Sequence, residues 1–468
     1  MGLDKTVAGL AQALAEAGLR DGMTLSFHHH LRNGDGVLNM ALDGASSLGV
    51  KGLKVAASSI FPVHAPLVGH VKNGTVTDLD VNYMSGPVAD LVSSGGVSST
   101  VTFRTHGGRP RAIESGELSV DIAVIAAPTC DCRGNISGVI GPSACGSLGY
   151  AMADAAHAKT VIAVTDNLIS RVVPASIDQS LVDIVVPVGS IGDPSGIVSG
   201  TTKIPRNPVA LTIARYAASA IDASGLWREG VSFQTGAGGA SLATALYLRE
   251  IMVDRGFRGS FAMGGITSQM VRFLEDGLVD NLYDVQCFDL DAVRSLGVNR
   301  GHVEVSASLY ASPGNKGPLV DDLDVVILGA AEIDLDFNVN VHTDSSGRII
   351  GGSGGHSDTA AGAKLTVVVA PLVRARLPMV VDRVIAVSTP GSTVDLLVTE
   401  RGMAVNPSRP ELKEALERAG LPVFSIGHLR DIALSMTGIP EEVRPQGRVV
   451  AEVEYRDGRI IDRIRAIE

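Results

Sequence analysis

"VDIAVIAAPTCDCRGNI" (residues 120–136) and "LDVVILGAAEIDLDFNV" (residues 323–339) are two versions of one segment. In this register Asp121 meets Asp324, Asp131 meets Asp334 and Asn135 meets Asn338. Each copy opens on an unbroken apolar run. Such a run marks a strand buried on both faces of a parallel sheet, whereas a half-solvated strand alternates apolar and polar residues.

The likeness extends outward from this pair. "LVGHVKNGTVTDL" (67–79) returns in the same register as "MVRFLEDGLVDNL" (270–282), aligning Gly74 with Gly277. "AHAKTVIAV" (156–164) echoes "AGAKLTVVV" (361–369), and "VDIVVPV" (182–188) echoes "VDLLVTE" (394–400). Recurrence at a long, nearly constant spacing indicates a duplicated unit. Within each unit short apolar runs alternate with helix-period stretches, so the fold class is α/β: two tandem doubly wound domains with mainly parallel sheets. Turn residues in "DASGLWREG" (222–230) place the boundary between residues 1–223 and 224–468. A chain of 468 residues also exceeds what one small core serves, and two domains of roughly 200 residues are expected.

Charge and cysteine content narrow the class. The net charge of −11, without a dense Lys/Arg tract, argues against nucleic acid or an anionic membrane as the main partner. Cys130, Cys132, Cys145 and Cys287 are too few and too irregularly spaced for a disulfide framework, which points to a reducing cytoplasm. The N-terminal "MGLDKTVAGLAQALAEAGLRDGM" interleaves acidic and basic residues on an amphipathic helix, unlike a signal peptide. No apolar run approaches the ~20 residues of a membrane span.

Open α/β sheets bind ligands beyond the carboxyl ends of their strands. The duplication identifies which loops correspond there. "DGMTLSFHHHLRNGDGVLNMAL" (21–42) aligns with "EGVSFQTGAGGASLATALYL" (229–248): an apolar run ending in Ser-Phe, a polar loop, then a helix. The two loops are expected to face one shared cleft. In extended backbone His28 and His30 share a face and His29 looks the other way. Zinc would need further ligands at supporting spacing, and Cys130 and Cys132 align with Ile333 and Leu335, so no metal is expected. Hydrogen bonding to an anion and a purely structural role remain for the histidines.

"QTGAGGAS" (234–241) brings Gly236, Gly238 and Gly239 to a strand-to-helix turn, where missing side chains let a phosphate, carboxylate or thioester oxygen reach backbone N–H groups. It has no P-loop lysine, and tight helix packing alone would also explain it. "FRTHGGRPRAIESGE" (103–117) gathers Arg104, His106, Arg109 and Arg111, a set suited to binding carboxylates unless it is a solvated basic loop. "GGSGGHSDTAAGAK" (351–364) adds His356 and Asp358 in a second glycine-rich stretch, which a flexible surface loop would equally explain.

Seven blocks together resemble one family. They are "MTLSFHHHLRNGD", "RTHGGRPRAIESGELSVDIAVIAAPTCDCRGN", "SACGSLGYAMADA", "FQTGAGGASLA", "FAMGGIT", "VQCFDLDAVRSL" and "GGSGGHSDTAAGA", and they resemble the citrate lyase alpha subunits, the citrate CoA-transferases. The likeness runs from about residue 20 to the C-terminus. The N-terminus is shorter than the family pattern, in a region where a segment used in assembly would lie.

The resemblance implies two tandem CoA-transferase domains, in agreement with the duplication. It implies that acetyl on the prosthetic thiol of an acyl carrier (gamma) subunit is exchanged for citrate, giving citryl-carrier and acetate. A beta subunit, the citryl lyase, would then cleave the citryl thioester. The implied cofactor is the carrier's CoA-like phosphoribosyl-dephospho-CoA group, for which acetyl-CoA is a surrogate, with none bound tightly by this chain. A homo-oligomer within the larger complex is also implied.

Many related CoA-transferases form a glutamyl thioester. The corresponding segment here is "SFAMGGITSQM" (260–270), with Ala262 or a neighbour at the Glu position, and an apolar side chain cannot be a nucleophile. The expected route is therefore a ternary complex in which a citrate carboxylate attacks the acetyl thioester to give a mixed anhydride. Gly236, Gly238 and Gly264 are the expected oxyanion donors. His28, His30, Arg32, Arg104, His106 and Arg109 are expected around citrate, and Gln234, Thr235, Gly239 and Gly265 around the thioester, with His356 and Asp358 joining the substrate site. Glu114 and Glu332 stand as alternative nucleophiles. Rival functions are an acyl-CoA hydrolase, a transferase for another carboxylate, and a non-catalytic thioester-binding scaffold.

Overall fold

A computed structural model describes residues 4–198, 207–236, 238–441, 443 and 445–467. The duplication is visible in it strand for strand. The first sheet runs Ile184–Pro187, Thr160–Thr165, Ile122–Ala127, Thr24–Phe27, Leu53–Ala57, Val76–Val81, Val101–Phe103, and the second runs Leu396–Thr399, Leu365–Val369, Val325–Gly329, Ser232–Thr235, Gly259–Ile266, Val279–Cys287, His302–Glu304. All pairings within these two sets of seven are parallel. In both units the first strand sits beside the second and the fifth, so the order reverses at Thr24–Phe27 and again at Ser232–Thr235. Connections on either side of such a strand leave in opposite directions and open a crevice at its carboxyl end.

The residues that matched in the repeat hold this frame. Asp121 accepts the Thr24 N–H at 2.8 Å and pairs with Lys159 at 2.6 Å. Asp324 accepts the Ser232 N–H at 2.9 Å and pairs with Lys364 at 2.8 Å. One carboxylate thus pins the start of each central strand. Asp131 accepts from the Asn135 backbone and side chain, and Asp334 from those of Asn338, tightening the turns of two equivalent three-stranded side sheets. These aspartates recur because the frame needs them at both places.

The chain's end departs from a simple division at residues 223 and 224. The hairpin Val449–Glu454 and Ile460–Arg465 returns to the first sheet, where Val449–Glu454 lies parallel to Val101–Phe103. Each repeat by itself ends the first sheet on an open edge, and the hairpin covers it. Arg104 locks this junction: its guanidinium donates to Asp80 at 2.9 Å, Glu454 at 2.7 Å and Glu117 at 2.8 Å. Although burial disfavours its charge, Asp80 and Glu454 hold its pKa above the ordinary value. Arg104 is therefore committed to protein carboxylates and does not line a ligand pocket as the sequence suggested.

Among the described residues no helix is long and apolar enough to cross a membrane. Arg104→Ala would leave Asp80 and Glu454 buried without their shared cation. The expected cost is about 3–5 kcal/mol, read as a lower urea midpoint; an unchanged midpoint would show that the clamp carries no stability.

Candidate active site

A cavity of about 970 Å³ lies where the carboxyl ends of the two central strands meet. Its walls come from the loop after Thr24–Phe27, the turn and helix start at 234–241, the segment 350–356, and the strand-end residues Gln286 and Phe288. His106, Tyr150 and Tyr310 complete the inner end.

The strand ends at Phe27 and the chain turns from His29, whose carbonyl accepts the Arg32 N–H at 2.9 Å, so the triplet is not the extended segment the sequence suggested. His29 lines the cavity, while His28 and His30 are not among its lining residues and lie buried. His28 Nδ1 lies 3.8 Å from Asp154, and Asp154 in turn accepts from Arg109 at 2.6 Å. Arg109 also donates to the Ala56 carbonyl at 3.2 Å, so this arginine is a core residue rather than a substrate ligand.

Burial first, and the nearby Arg109 second, push His28 and His106 down to about 3. Burial likewise lowers His29 and His30 well below the ordinary range. The four rings are neutral at neutral pH. Any anion they meet is held by N–H donation, not by imidazolium charge.

Positive charge on the wall comes from Arg374 and, beside the histidines, from Arg32. Burial lowers its pKa to about 10, which leaves it a cation. Its guanidinium lies 4.4 Å from the Phe288 ring centroid and 5.5 Å from that of Phe61, a stacked seat that suits a planar, weakly hydrated cation. Arg32 has φ 51°, a left-handed backbone that costs a non-glycine residue on the order of 1–3 kcal/mol and clusters at functional sites. Asp35 accepts the N–H groups of Val37 and Leu38 and pairs with His64 at 3.1 Å, which fixes the turn after Arg32.

The glycine-rich turn divides its labour. Gly236 donates its N–H to the Ile327 carbonyl at 2.7 Å, so that group is already used and cannot be the free oxyanion donor expected of it. Gly238 is the N-cap of the helix Gly239–Arg255 and supplies no side-chain acceptor, so the first-turn N–H groups lack an intrahelical partner. Gly238, Gly239 and Ser241 border the cavity, and the buried Ser241 Oγ has no partner among the described residues. Gln234 Nε2 donates to Tyr310 at 3.0 Å, and Thr235 is also on the wall. A Cβ on Gly264, at φ 101°, would come within 2.6 Å of the Gln234 side chain, and one on Gly265 within 2.3 Å of the Phe288 ring. Gly264 is not on the cavity wall, and these two glycines make room for side chains that are.

His356 borders the cavity with both ring nitrogens engaged, to Thr389 Oγ1 at 2.7 Å and the Gly329 carbonyl at 2.9 Å. Asp358 lies off it, accepting Thr105 Oγ1 at 2.8 Å and the Gly107 N–H at 2.9 Å. It thereby anchors the turn that carries His106. Glu332 is buried away from the cavity against Asn340, and Glu114 is exposed at the end of the helix Gly108–Glu114. Among the described residues no Asp or Glu lines the cavity.

His29, Ser58, Tyr150, Tyr310 and Gln286 were not singled out by sequence. Tyr150 lies in "SACGSLGYAMADA", and Gln286 in "VQCFDLDAVRSL". Those blocks carried the family likeness without any charge or glycine signal to mark a role.

The sequence pattern of the family "Citrate lyase, alpha subunit (CitF)" matches residues 4–467. The chain belongs to the citrate lyase alpha subunit family. It is 48% identical to the citrate lyase alpha chain of Escherichia coli K12 over 465 residues, covering 99% of this chain and 91% of that one. A crystal structure described as the alpha subunit of citrate lyase in complex with citrate, from Streptococcus mutans, superposes with a TM-score of 0.97 at 46% identity, covering 100% of this chain and 92% of that one. The malonate decarboxylase alpha subunit of Acinetobacter baumannii shares the fold, with a TM-score of 0.67 at 16% identity over 94% and 93% of the two chains.

The buried histidines make an acid limit. A ring near 6.5 when unfolded and near 3 when folded binds fewer protons in the native state, so stability is intact above pH 6.5 and declines as the pH falls toward 3. His28, His106 and His342 at about 3 and His356 at about 4 act together, each removing about 1.4 kcal/mol per pH unit in that window. Asp358, raised to about 6 by burial, acts in the opposite sense, as do Glu304, Asp395 and Glu454, which burial also raises, while His29 and His30 add to the histidine side. Thermal melts should lose Tm steadily from pH 6.5 to 5. A Tm constant over that range would contradict neutral burial.

Proposed function

We propose that this chain is the citrate CoA-transferase of a citrate lyase, exchanging acetyl for citryl on a carrier thiol in a ternary complex. The observation that carries the reading is a cavity holding arginine cations and neutral donors with, among the described residues, no carboxylate side chain on its wall. A protein nucleophile would have to be there, and the substrate can bring its own.

The bond changes follow. A citrate carboxylate oxygen attacks the acetyl thioester carbonyl; the C–O bond forms, the C–S bond breaks and the thiolate leaves. That thiolate then attacks the citryl carbonyl of the mixed anhydride, re-forming a C–S bond and expelling acetate. No proton enters or leaves either step, so no side chain with a pKa near neutrality is needed. Holding carboxylate and thioester together replaces a bimolecular encounter.

Arg32 is the proposed seat for citrate carboxylates. The helix start at Gly238, Gly239 and Ser241 is the proposed seat for the thioester oxygen. Val209, Ile213, Ile350 and Val369 give the rest of the wall an apolar stretch that fits the alkyl-amide arm of a carrier-borne prosthetic group. The partners in this reading are carrier and citryl-lyase subunits in a cytoplasmic complex, with further copies of this chain.

Purified protein with acetylated carrier, or acetyl-CoA as surrogate, and labelled citrate should give citryl thioester and equimolar acetate by mass spectrometry. Release of free thiol without citryl thioester would mean a hydrolase, and no turnover with the native carrier would mean a scaffold. Arg32→Met should raise the apparent KM for citrate roughly 10- to 100-fold, the worth of a hydrogen bond to a charged group. An unchanged KM would remove Arg32 from the citrate seat.

A further inference from the structure

Two imidazoles at the inner end of the cavity are each held by one hydroxyl. Ser58 Oγ lies 2.5 Å from His29 Nδ1 and also accepts the His29 backbone N–H at 3.1 Å. Among the described residues His29 Nδ1 is the one acceptor within reach of the Ser58 hydroxyl hydrogen. Tyr150 Oη lies 2.5 Å from His106 Nδ1. Burial raises the Tyr150 phenol well above its ordinary pKa, so it keeps its hydrogen, and among the described residues His106 Nδ1 is the acceptor within reach of it. A neutral imidazole that accepts at Nδ1 carries its proton on Nε2.

The geometry fixes where those protons point. The His29 and His106 rings lie 5.7 Å apart, centroid to centroid, and both sit against Tyr150 at 4.9 and 4.5 Å. Both rings line the cavity, and His106 Nε2 is buried with no partner among the described residues. An orphaned N–H in such a place costs free energy unless a ligand atom meets it.

We infer that Ser58 and Tyr150 are positioning residues that lock His29 and His106 as a pair of uncharged Nε2–H donors to the oxyanion of the acyl-transfer intermediates. The inference rests on the acyl-transfer reading of this cavity. Uncharged donors suit the reaction: they hold a negative oxygen as it forms without neutralising the citrate carboxylate that must attack. The helix start then serves the substrate's other oxygens, and the catalytic burden is shared between the two repeats.

Long-range ¹H–¹⁵N correlation on ¹⁵N-histidine-labelled full-length protein at pH 7 reads the tautomers without turnover. The expected result is a proton on Nε2 alone in both rings, with Tyr150→Phe shifting the His106 pattern and leaving that of His29. Tyr150→Phe should also lower kcat about 10- to 100-fold while citrate KM changes less than about threefold, as for other partners that orient a working imidazole. His106→Gln, which keeps an amide donor, should retain more kcat than His106→Ala. Nδ1–H tautomers, imidazolium, or a Tyr150→Phe effect confined to KM would each overturn the inference. A protein with the expected tautomers but no acyl transfer would count against the reaction and not against the lock.

Discussion

Desolvation of the imidazoles at the end of the first central strand governs the site. Charging a buried ring is costly, and Arg109 or Arg32 adds to the cost for His28, His29 and His106, so these three and His30 stay neutral. From that follows the electrostatic character of the whole cavity. Its inner charge is the Arg32 cation, its other donors are uncharged, and carboxylates are kept to the frame. Asp154 is occupied by Arg109, Asp80 and Glu454 by Arg104, and Asp358 by the turn before His106. A site built this way suits a polyanion, and among the described residues no carboxylate stands on its wall.

Duplication supplies the geometry and divergence supplies the chemistry. Asp121 with Lys159 and Asp324 with Lys364 repeat the same latch in both halves, so the two crevices form in equivalent places. After the matched Ser-Phe pairs the loops part ways. The first continues into three histidines and a strained Arg32; the second continues into glycines that open a helix start. Because the crevices face each other, each half presents a different kind of donor to one ligand space. The returning C-terminal hairpin, clamped by Arg104, binds the last residues of the second repeat to the edge of the first sheet.

Much of this was legible in the sequence. The unbroken apolar runs and the repeat register gave the parallel sheets, their equivalence and the two facing loops. Site residues were harder, and the reasons are physical. Arg104, Arg109 and Arg111 look like an anion trap when only their spacing is known, yet their partners Asp80, Asp154 and Glu454 are far away in the chain. The triplet was read as extended, but the strand ends at Phe27 and the turn begun at His29 decides which ring meets the cavity. Gly236 has the right residue type for an oxyanion donor, but its N–H belongs to the Ile327 carbonyl. Tyr150 and Ser58 carried no charge and no motif, and their importance comes only from the nitrogen each one touches. The terminal hairpin was assigned with the repeat it follows because edge pairing leaves no local mark.

The proposed reaction, drawn from a cavity on which no Asp or Glu stands among the described residues, has the substrate supply the attacking oxygen. Single-turnover transfer with citrate labelled with ¹⁸O in its carboxyl groups measures this directly. If citrate attacks the acetyl thioester, the bridging oxygen of the anhydride leaves with the acetyl group, and the acetate from the first turnover carries one ¹⁸O. If a protein carboxylate attacks first, that acetate takes its oxygen from the enzyme and is unlabelled.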